Sequence, residues 1–158
     1  PQFNALHADW AEFYRDERIM PQLELAKKNN ALNDAIIPSG ESAVKVFRQL
    51  FGDVKPALLH GDLWGGNYLI SVDGTPYLID PAVFYGHSMV DVAMSRLFGG
   101  FDAEFYDSYH QIIPQPEFYR EQIDIYQLYY LLVHLNLFGR SYQSSVVDIL
   151  ERYFTPNL

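Results

Sequence analysis

Three oxygen-bearing side chains stand near one another in the middle of this 158-residue chain. Asp62 is followed by Asn67, and Asp80 ends the short apolar run Pro76–Ile79. Phosphoryl transfer from a nucleoside triphosphate uses such a trio: one carboxylate takes the proton of the attacking hydroxyl, while an amide oxygen and a second carboxylate hold Mg²⁺ on the phosphates. The trio therefore indicates phosphoryl-transfer chemistry, with a nucleoside triphosphate and Mg²⁺ as the cofactors.

The segments around the trio predict short strands that would bring its members together. Ala57–Leu59 is typical of a short buried strand before the loop, and Tyr68–Ile70 of a strand after it. Val72–Thr75 contains a strong Asp-Gly turn signal, after which Pro76–Ile79 returns. A hairpin of this kind would place Asp80 beside the amide, so that both side-chain oxygens reach one cation.

The same residues also have an ordinary structural explanation. Asp62 and Asn67 are common turn residues, and Asp80 could simply end a strand. An isolated Asp-x4-Asn pair would favour that explanation. The surrounding strand–loop–strand–turn–strand pattern favours the catalytic one, because kinase catalytic loops place a base and a metal-binding Asn at this spacing.

Beyond the trio, the chain resembles the fructosamine kinase family, relatives of the aminoglycoside and choline kinases. The matching segments extend over nearly the whole sequence: Asp9-Trp10, Phe13-Tyr14, Pro21–Ala26, Leu58–Asn67, Leu78–His87, Leu97–Phe101, Tyr126–Tyr129 and His134–Gly139. The motif His60–Asp62 alone is similar to a broad phosphotransferase superfamily. The extensions Leu63–Asn67 and Asp80–His87 narrow the resemblance to this family.

The resemblance implies an α+β, mostly α fold. It is that of the C-terminal lobe of the protein-kinase-like, or aminoglycoside-phosphotransferase-like, fold, with a small β-hairpin at the active site. Such kinases also have an N-terminal lobe with a phosphate-covering loop and a strand lysine. Lys27, Lys28 and Lys45 lie in segments of helical pattern, and eight residues precede Asp9. We therefore expect residues 1–158 to form a single domain, the catalytic and substrate lobe, whose partner is a missing N-terminal lobe.

The activity that the resemblance implies is ATP-dependent phosphorylation of a sugar hydroxyl, at the 3-position of ketoamines such as fructosamines or ribulosamines. The acceptor would be a small molecule or protein-bound, and the unstable product would release the free amine, which promotes deglycation. Two alternatives remain: a kinase for an aminoglycoside- or choline-like alcohol, and a non-catalytic binding module. We expect the lobe alone to be inactive or nearly so, because phosphoryl transfer depends on positioning and charge stabilisation.

Individual residues can be given roles. Asp62 is the candidate general base, and Asn67 and Asp80 are the candidate Mg²⁺ ligands. His60 is expected to hold the loop through a hydrogen bond from its ring to the backbone or to Asp80. A role as general base is the weaker alternative. Asp91 either provides a favourable charge at a helix N-terminus or, as the family implies, accepts hydrogen bonds from the catalytic-loop backbone.

One tryptophan and three histidines are further candidates for binding residues. Trp64 could stack on the C–H face of a sugar, since Gly65-Gly66 leaves space around its ring; packing in a core is the ordinary alternative. The spacing of His87, His110 and His134 does not match a paired metal-ligand motif. His110 and His134 are expected to be hydrogen-bonded core or boundary groups.

Composition sets further limits. The net charge of −9, from 11 basic and 20 acidic residues, argues against a nucleic-acid-binding surface. The absence of cysteine excludes disulfides and thiolate zinc sites, which makes a cytoplasmic location the simplest one. No apolar stretch approaches the ~20 residues of a membrane span. Without the N-terminal lobe, apolar surface near Leu63–Tyr68 and Ile79–Phe84 is expected to be exposed, so self-association or domain exchange of this lobe is a risk.

The remaining sequence predicts helices. Asp9–Glu12 has the form of a capping box, Pro21 should begin a new turn or helix, and Ser39 should cap a helix that ends at Gly52. Tyr126–Leu137 is apolar on all sides and is predicted to be a buried central helix. The other predicted helices are a segment from Ser88 to Gly99, Ala103–Ile112, Phe118–Phe138 and Tyr142–Tyr153.

Overall fold

Residues 2–155 are described in the computed structural model of this protein. Among these residues helices dominate, and four short strands form two separate two-stranded antiparallel sheets. The chain divides into two units, one made of residues up to Val54 with those from Leu128 onward, and the other of Lys55–Gln127. The predicted fold class, α+β and mostly α, is confirmed, whereas a single domain over the whole chain stays a prediction.

The first unit begins with one helical run made of α1 (Trp10–Tyr14), a π-helical segment (Arg15–Ile19) and α2 (Met20–Lys28). The prediction that Pro21 begins a new helix is only partly right. Pro21 lies in the first turn of α2, but the helical run continues through it from the π-helical segment. Proline lacks an N–H and crowds the carbonyl four residues earlier, so wider turns just before it accommodate the ring.

The next helix, α3 (Gly40–Phe51), begins and ends where the sequence predicts. The Ser39 hydroxyl accepts the backbone N–H of Ser42 at 3.1 Å, which caps the first turn. Gly52 follows the last turn with φ of 61°, a conformation that glycine adopts without a steric penalty. Local cap chemistry therefore sets both ends of this helix.

The predicted capping box is half formed. Asp9 caps α1 by accepting the backbone N–H of Glu12 at 2.9 Å. The Glu12 carboxylate, which in a capping box turns back to the cap residue, instead lies 2.6 Å from Nη2 of Arg48. An arginine from α3 has therefore replaced the second bond of the box.

Aromatic side chains fill the core of this unit. Tyr14 is 1% exposed and meets Phe47 and Phe51 edge to face, at ring-centroid distances of 5.5 and 5.7 Å. The last helix, α7 (Gln143–Phe154), adds Phe154 against Phe47 at 6.0 Å. Each such aromatic pair adds about 0.5–1.5 kcal/mol beyond the burial of its area.

The second unit contains the two sheets, in which β1 (Ala57–Leu59) pairs with β4 (Phe84–Gly86) and β2 (Tyr68–Ile70) pairs with β3 (Pro76–Leu78). The predicted β2–β3 hairpin is confirmed. The sequence does not predict β4, because three residues are too few to show a period. The prediction of a buried β1 holds only for Leu59. Ala57 and Leu58 are exposed, because a three-residue strand in a two-stranded sheet leaves side chains on both faces open.

Three helices complete this part of the chain: α4 (Met89–Leu97), α5 (Ala103–Ile112) and α6 (Tyr119–Phe138), whose residues from Leu128 onward belong to the first unit. The centre of α6 is buried, as predicted, with Ile125 and Leu132 fully inaccessible. Its end is not, since Leu137 is 69% exposed. Within residues 2–155, no helix has both the length and the apolar character that crossing a membrane requires.

Candidate active site

The loop between β1 and β2 begins with two residues whose backbone is fixed by hydrogen bonds. The carboxylate of Asp91, on α4, accepts the backbone N–H of His60 and that of Gly61, both at 2.8 Å. The carbonyl of His60 accepts the N–H of Ala82, also at 2.8 Å. Hydrogen bonds to Asp91 and to Ala82 therefore fix the backbone that leads into Asp62.

The imidazole of His60 makes two further bonds to the backbone. Its Nε2 lies 3.0 Å from the carbonyl oxygen of Ile79, and its Nδ1 lies 3.3 Å from the backbone nitrogen of Asp62. A carbonyl only accepts and a backbone N–H only donates, so the proton of the neutral ring is on Nε2. Because both ring nitrogens are engaged, the geometry favours the loop-holding role over a role as base.

Asp62 and Asn67 are in direct contact. The side-chain Nδ2 of Asn67 donates to the backbone carbonyl and to Oδ2 of Asp62, each at 2.9 Å. Both partners are acceptors, which fixes the amide with its nitrogen toward Asp62 and leaves Oδ1 as the atom for a cation. Asn67 is 7% exposed, whereas Asp62 is partly open to solvent. A buried amide thus orients an accessible carboxylate.

The hairpin returns the chain to Asn67 immediately before Asp80. The backbone N–H of Ile79 donates to the Asn67 carbonyl at 2.9 Å and so extends the pairing of β2 with β3. Asp80 has φ of 51°, in the left-handed region that Asp tolerates better than most residues. Its side chain is exposed, and Pro81 restricts the backbone that follows.

The oxygen atoms at this site are of the kind that Mg²⁺ prefers. The amide oxygen of Asn67 and the carboxylate of Asp80 are both hard donors. Within the described part of the chain, no group of three or more His, Asp or Glu side chains is placed to hold a metal. A cation here would therefore take its other ligands from phosphate and water, as Mg²⁺ does with nucleotides.

Gly61 is a site residue whose role the motif alone does not predict. Its φ is 81°, and a Cβ atom at this position would lie 2.1 Å from the carbonyl oxygen of Ala82. The backbone of the catalytic loop and that of the segment after Asp80 thus approach too closely for any side chain. A glycine directly before the candidate base is the signal from which this close approach could have been inferred.

Trp64 lies at the surface of the loop and is 38% exposed. Its ring packs on Gly66, where a Cβ atom would lie 2.4 Å from Cη2 of the indole. The space that the sequence predicts around the ring is therefore filled at Gly66 by the indole itself. It stays open at Gly65, where a Cβ atom would meet nothing within 4 Å. The ring is held in place with part of its surface accessible.

Asp91 should matter for stability through its two backbone hydrogen bonds. Burial raises the pKa of its carboxyl group, and the bonds from Gly61 and His60 act in the opposite direction. We expect Asp91→Asn to lower the free energy of unfolding by about 1–3 kcal/mol, because an amide offers one oxygen and turns its NH₂ toward the other N–H. Urea titration measures this loss.

A matched control for that substitution lies on α5. Asp107 is exposed, so Asp107→Asn should change the free energy of unfolding by less than about 0.5 kcal/mol. Similar losses in the two variants would contradict a special role for Asp91.

His87 should make stability depend on pH. Its Nδ1 lies 2.8 Å from the hydroxyl of Tyr126, and burial lowers its pKa from 6.5 to about 4. Between these values the unfolded chain binds a proton that the folded chain does not. The contribution of neutral His87 to the free energy of unfolding is therefore complete above about pH 6.5. Up to about 3 kcal/mol of it is lost as the pH falls toward 4.

The substitution His87→Gln removes this titrating group and checks the prediction. Urea unfolding across the pH range from 7 to 4 should show a smaller fall in the free energy of unfolding for the variant, by about 2–3 kcal/mol. Parallel curves for the two proteins would show that His87 is not the group responsible.

Known proteins are similar to this chain in sequence. The family model described as fructosamine kinase matches residues 1–155. A candidate ketoamine kinase of Lactiplantibacillus plantarum is 44% identical, over 97% of this chain and 55% of the relative. Ketosamine-3-kinase of Mus musculus is 40% identical, over 96% of this chain and 49% of its own length.

A solved structure extends the comparison to the fold. The crystal structure of a candidate fructosamine-3-kinase from Haemophilus somnus 129PT matches with a TM-score of 0.83 and 32% identity, over 96% of this chain and 52% of that one. This chain therefore spans about half the length of the relatives that it matches. With the family model matched over nearly every residue and the kinase-like fold shared with a solved relative, the chain belongs to the fructosamine kinase family.

Proposed function

We propose that this chain provides the catalytic loop and the metal-binding residues of an ATP-dependent ketoamine kinase. The reaction is phosphorylation of the sugar 3-hydroxyl of a fructosamine or ribulosamine, after which the unstable product releases the amine. The contact of Asp62 with Asn67 carries this proposal, since it joins the candidate base to the candidate metal site. The names of the relatives, ketoamine kinase and ketosamine-3-kinase, support the acceptor class.

Asp62 accepts the proton of the sugar hydroxyl as the hydroxyl oxygen bonds to the γ-phosphorus. The bond between that phosphorus and the β,γ-bridging oxygen breaks, and ADP leaves. Asn67 donates to Oδ2 of Asp62 and so directs the other carboxylate oxygen toward the acceptor. Bound Mg²⁺ supplies positive charge that offsets the phosphates in a chain of net charge −9. His60 and Asp91 hold the loop that positions the base.

The nucleotide requires additional positive charge. Of the four lysines, Lys27 and Lys28 lie on α2 and Lys45 on α3, as predicted, and Lys55 lies in the loop before β1, so none is the strand lysine that such kinases place on the phosphates. We therefore assign that lysine to a separate N-terminal lobe acting with this chain. Residues 1–158 alone should then show little or no ATP turnover.

A substrate panel tests the proposed function. The kinase containing this chain is supplied with MgATP and, in parallel, fructosyl-lysine, ribulosyl-lysine, an aminoglycoside and choline, and ADP release is followed. We expect kcat/KM for a ketoamine to exceed the others by about 100-fold or more, the ratio that a site built to bond a substrate polar group can reach. Preference for an aminoglycoside or choline would assign the chain to that activity. Binding without any ADP release would identify a binding module.

Trp64 is proposed to contact the acceptor. We expect Trp64→Ala to raise KM for the ketoamine about 2–10-fold, the loss expected for one aromatic stacking contact, with a smaller change in KM for ATP. Initial-rate kinetics with each substrate varied in turn measures both constants. Equal changes in the two would contradict contact with the acceptor. Trp64→Phe, which keeps a ring, should lose less than the alanine variant.

A further inference from the structure

A pocket walled by aromatic rings lies on one face of the β2–β3 hairpin. Tyr68 and Leu78 are paired across the hairpin and share this face with Pro76. The opposite wall is formed by Gly100–Asp102 and by Phe105 of α5. The cavity has a volume of about 550 Å³, in the range of sites that take small molecules or side chains.

Three rings meet at this pocket. The centroid of Phe101 lies 5.3 Å from that of Tyr68, with the ring planes at 75°, and 4.5 Å from that of Phe105, with the planes at 39°. Tyr68 is 38% exposed and Phe105 is 36% exposed. Rings inclined in this way present π faces from more than one direction, which is how proteins attract organic cations.

The wall that carries Phe101 is held in position. Its backbone N–H donates to the hydroxyl of Tyr106 at 3.1 Å, and the same hydroxyl lies 3.1 Å from Oγ of Ser95. Gly99 and Gly100 have φ of 94° and 62°, which other residues seldom adopt, so the turn is specific to glycine. Contacts within the chain therefore fix the backbone of this wall.

The charge at the pocket is negative. Asp102 caps α5 by accepting the backbone N–H of Phe105 at 3.0 Å. The positive end of the helix is thus already engaged by a carboxylate, and an anion entering the pocket would meet this charge. The residues that line the cavity include no Lys or Arg. Charge complementarity therefore selects a cation.

We propose that this pocket binds an alkylammonium group, carried either by the ketoamine itself or by a lysine side chain of the protein that bears it. Three aromatic residues and one carboxylate line the pocket, and Tyr68 directly follows the candidate metal ligand Asn67. The use of the site by an acceptor rests on the proposed kinase function. The binding of ammonium does not, and it can be measured without turnover.

The direct test is an NMR titration of the 158-residue protein. The probes are n-butylammonium, which has the shape of a lysine side chain, and n-butanol, its uncharged counterpart. We expect saturable amide shifts at Tyr68, Phe101 and Phe105, with half-saturation at a concentration about fivefold lower for the ammonium. Equal half-saturation concentrations for the two probes would show only an apolar crevice and would overturn the proposal. Shifts centred on other residues, or shifts that do not saturate, would overturn it as well.

One substitution removes the negative charge at the pocket and keeps the fold. Asn caps helices as well as Asp does, so Asp102→Asn should keep α5 intact while removing the negative charge. We expect it to weaken n-butylammonium binding about 3–10-fold and to leave n-butanol unchanged. Phe105→Leu should weaken n-butylammonium binding by a similar factor. The control Phe138→Leu replaces a ring on α6 that is 66% exposed, and it should leave this binding unchanged. An unchanged preference for ammonium in Asp102→Asn would overturn the proposal.

Kinetics with the kinase then distinguishes the source of the cation. If Asp102→Asn raises KM for free fructosyl-lysine, the pocket takes a cation of the ketoamine itself. If it raises KM only for a glycated protein, the pocket takes a neighbouring lysine. Unchanged KM for both would overturn the link with the acceptor. Absence of ketoamine turnover in the unmodified kinase would instead contradict the proposed function, while the ammonium titration would still decide the site.

Discussion

In the kinase that contains this chain, Asp62→Asn should lower kcat for ketoamine phosphorylation by about 10²–10⁴-fold, the usual contribution of a general base. The variant amide can still offer an oxygen to Nδ2 of Asn67, so the contact that orients position 62 can persist. The expected loss therefore reports the missing proton acceptor rather than a collapsed loop. KM for ATP should change little.

Asp53 provides the matched control for this substitution. Asp53 is exposed, and Asp53→Asn should leave kcat within about twofold of the original, as surface substitutions usually do. A fall of less than about tenfold for Asp62→Asn would indicate that the carboxylate orients the hydroxyl more than it removes the proton. An unchanged kcat would remove Asp62 from the mechanism.

The largest expected effect on stability is at Gly61. A methyl group there would lie 2.1 Å from the carbonyl oxygen and 2.8 Å from the carbonyl carbon of Ala82. That backbone cannot withdraw easily, since the N–H of Ala82 is bonded to the carbonyl of His60. We expect Gly61→Ala to lower the free energy of unfolding by about 2–5 kcal/mol, from the left-handed conformation and the clash together.

A second glycine separates these two causes. Gly74, in the β2–β3 turn, has φ of 85°, close to the 81° of Gly61, but a Cβ atom there would meet nothing within 4 Å. Gly74→Ala should therefore lose only the conformational part, about 1–2 kcal/mol. Urea titration of both variants measures the difference. Equal losses would contradict the close approach of the loop to Ala82.

Local chemistry explains most of what could be predicted from the sequence. Ser39 and Gly52 mark both ends of α3 because capping depends on residues that are neighbours in the chain. The Asp-Gly turn likewise fixes the β2–β3 hairpin within a dozen residues. These predictions succeeded because the deciding partners are close in sequence.

The remaining features depend on partners far along the chain. Gly61 and Asp91 are 30 residues apart, so the sequence could offer their bond only as one of two explanations. The strand β4 exists because β1 pairs with it, and its three residues carry no period of their own. The rings of Tyr68 and Phe101 meet only in the folded chain, and neither alone predicts a pocket.

The central claim is that Asn67 and Asp80 hold one divalent ion beside the candidate base Asp62. Mn²⁺ accepts the same oxygen ligands as Mg²⁺ and broadens the NMR signals of nearby nuclei. With ATP and a trace of Mn²⁺ added to the kinase, the account predicts that the backbone amide signals of these three residues broaden most strongly. Strong broadening centred on other carboxylates, with these three signals remaining sharp, would contradict it.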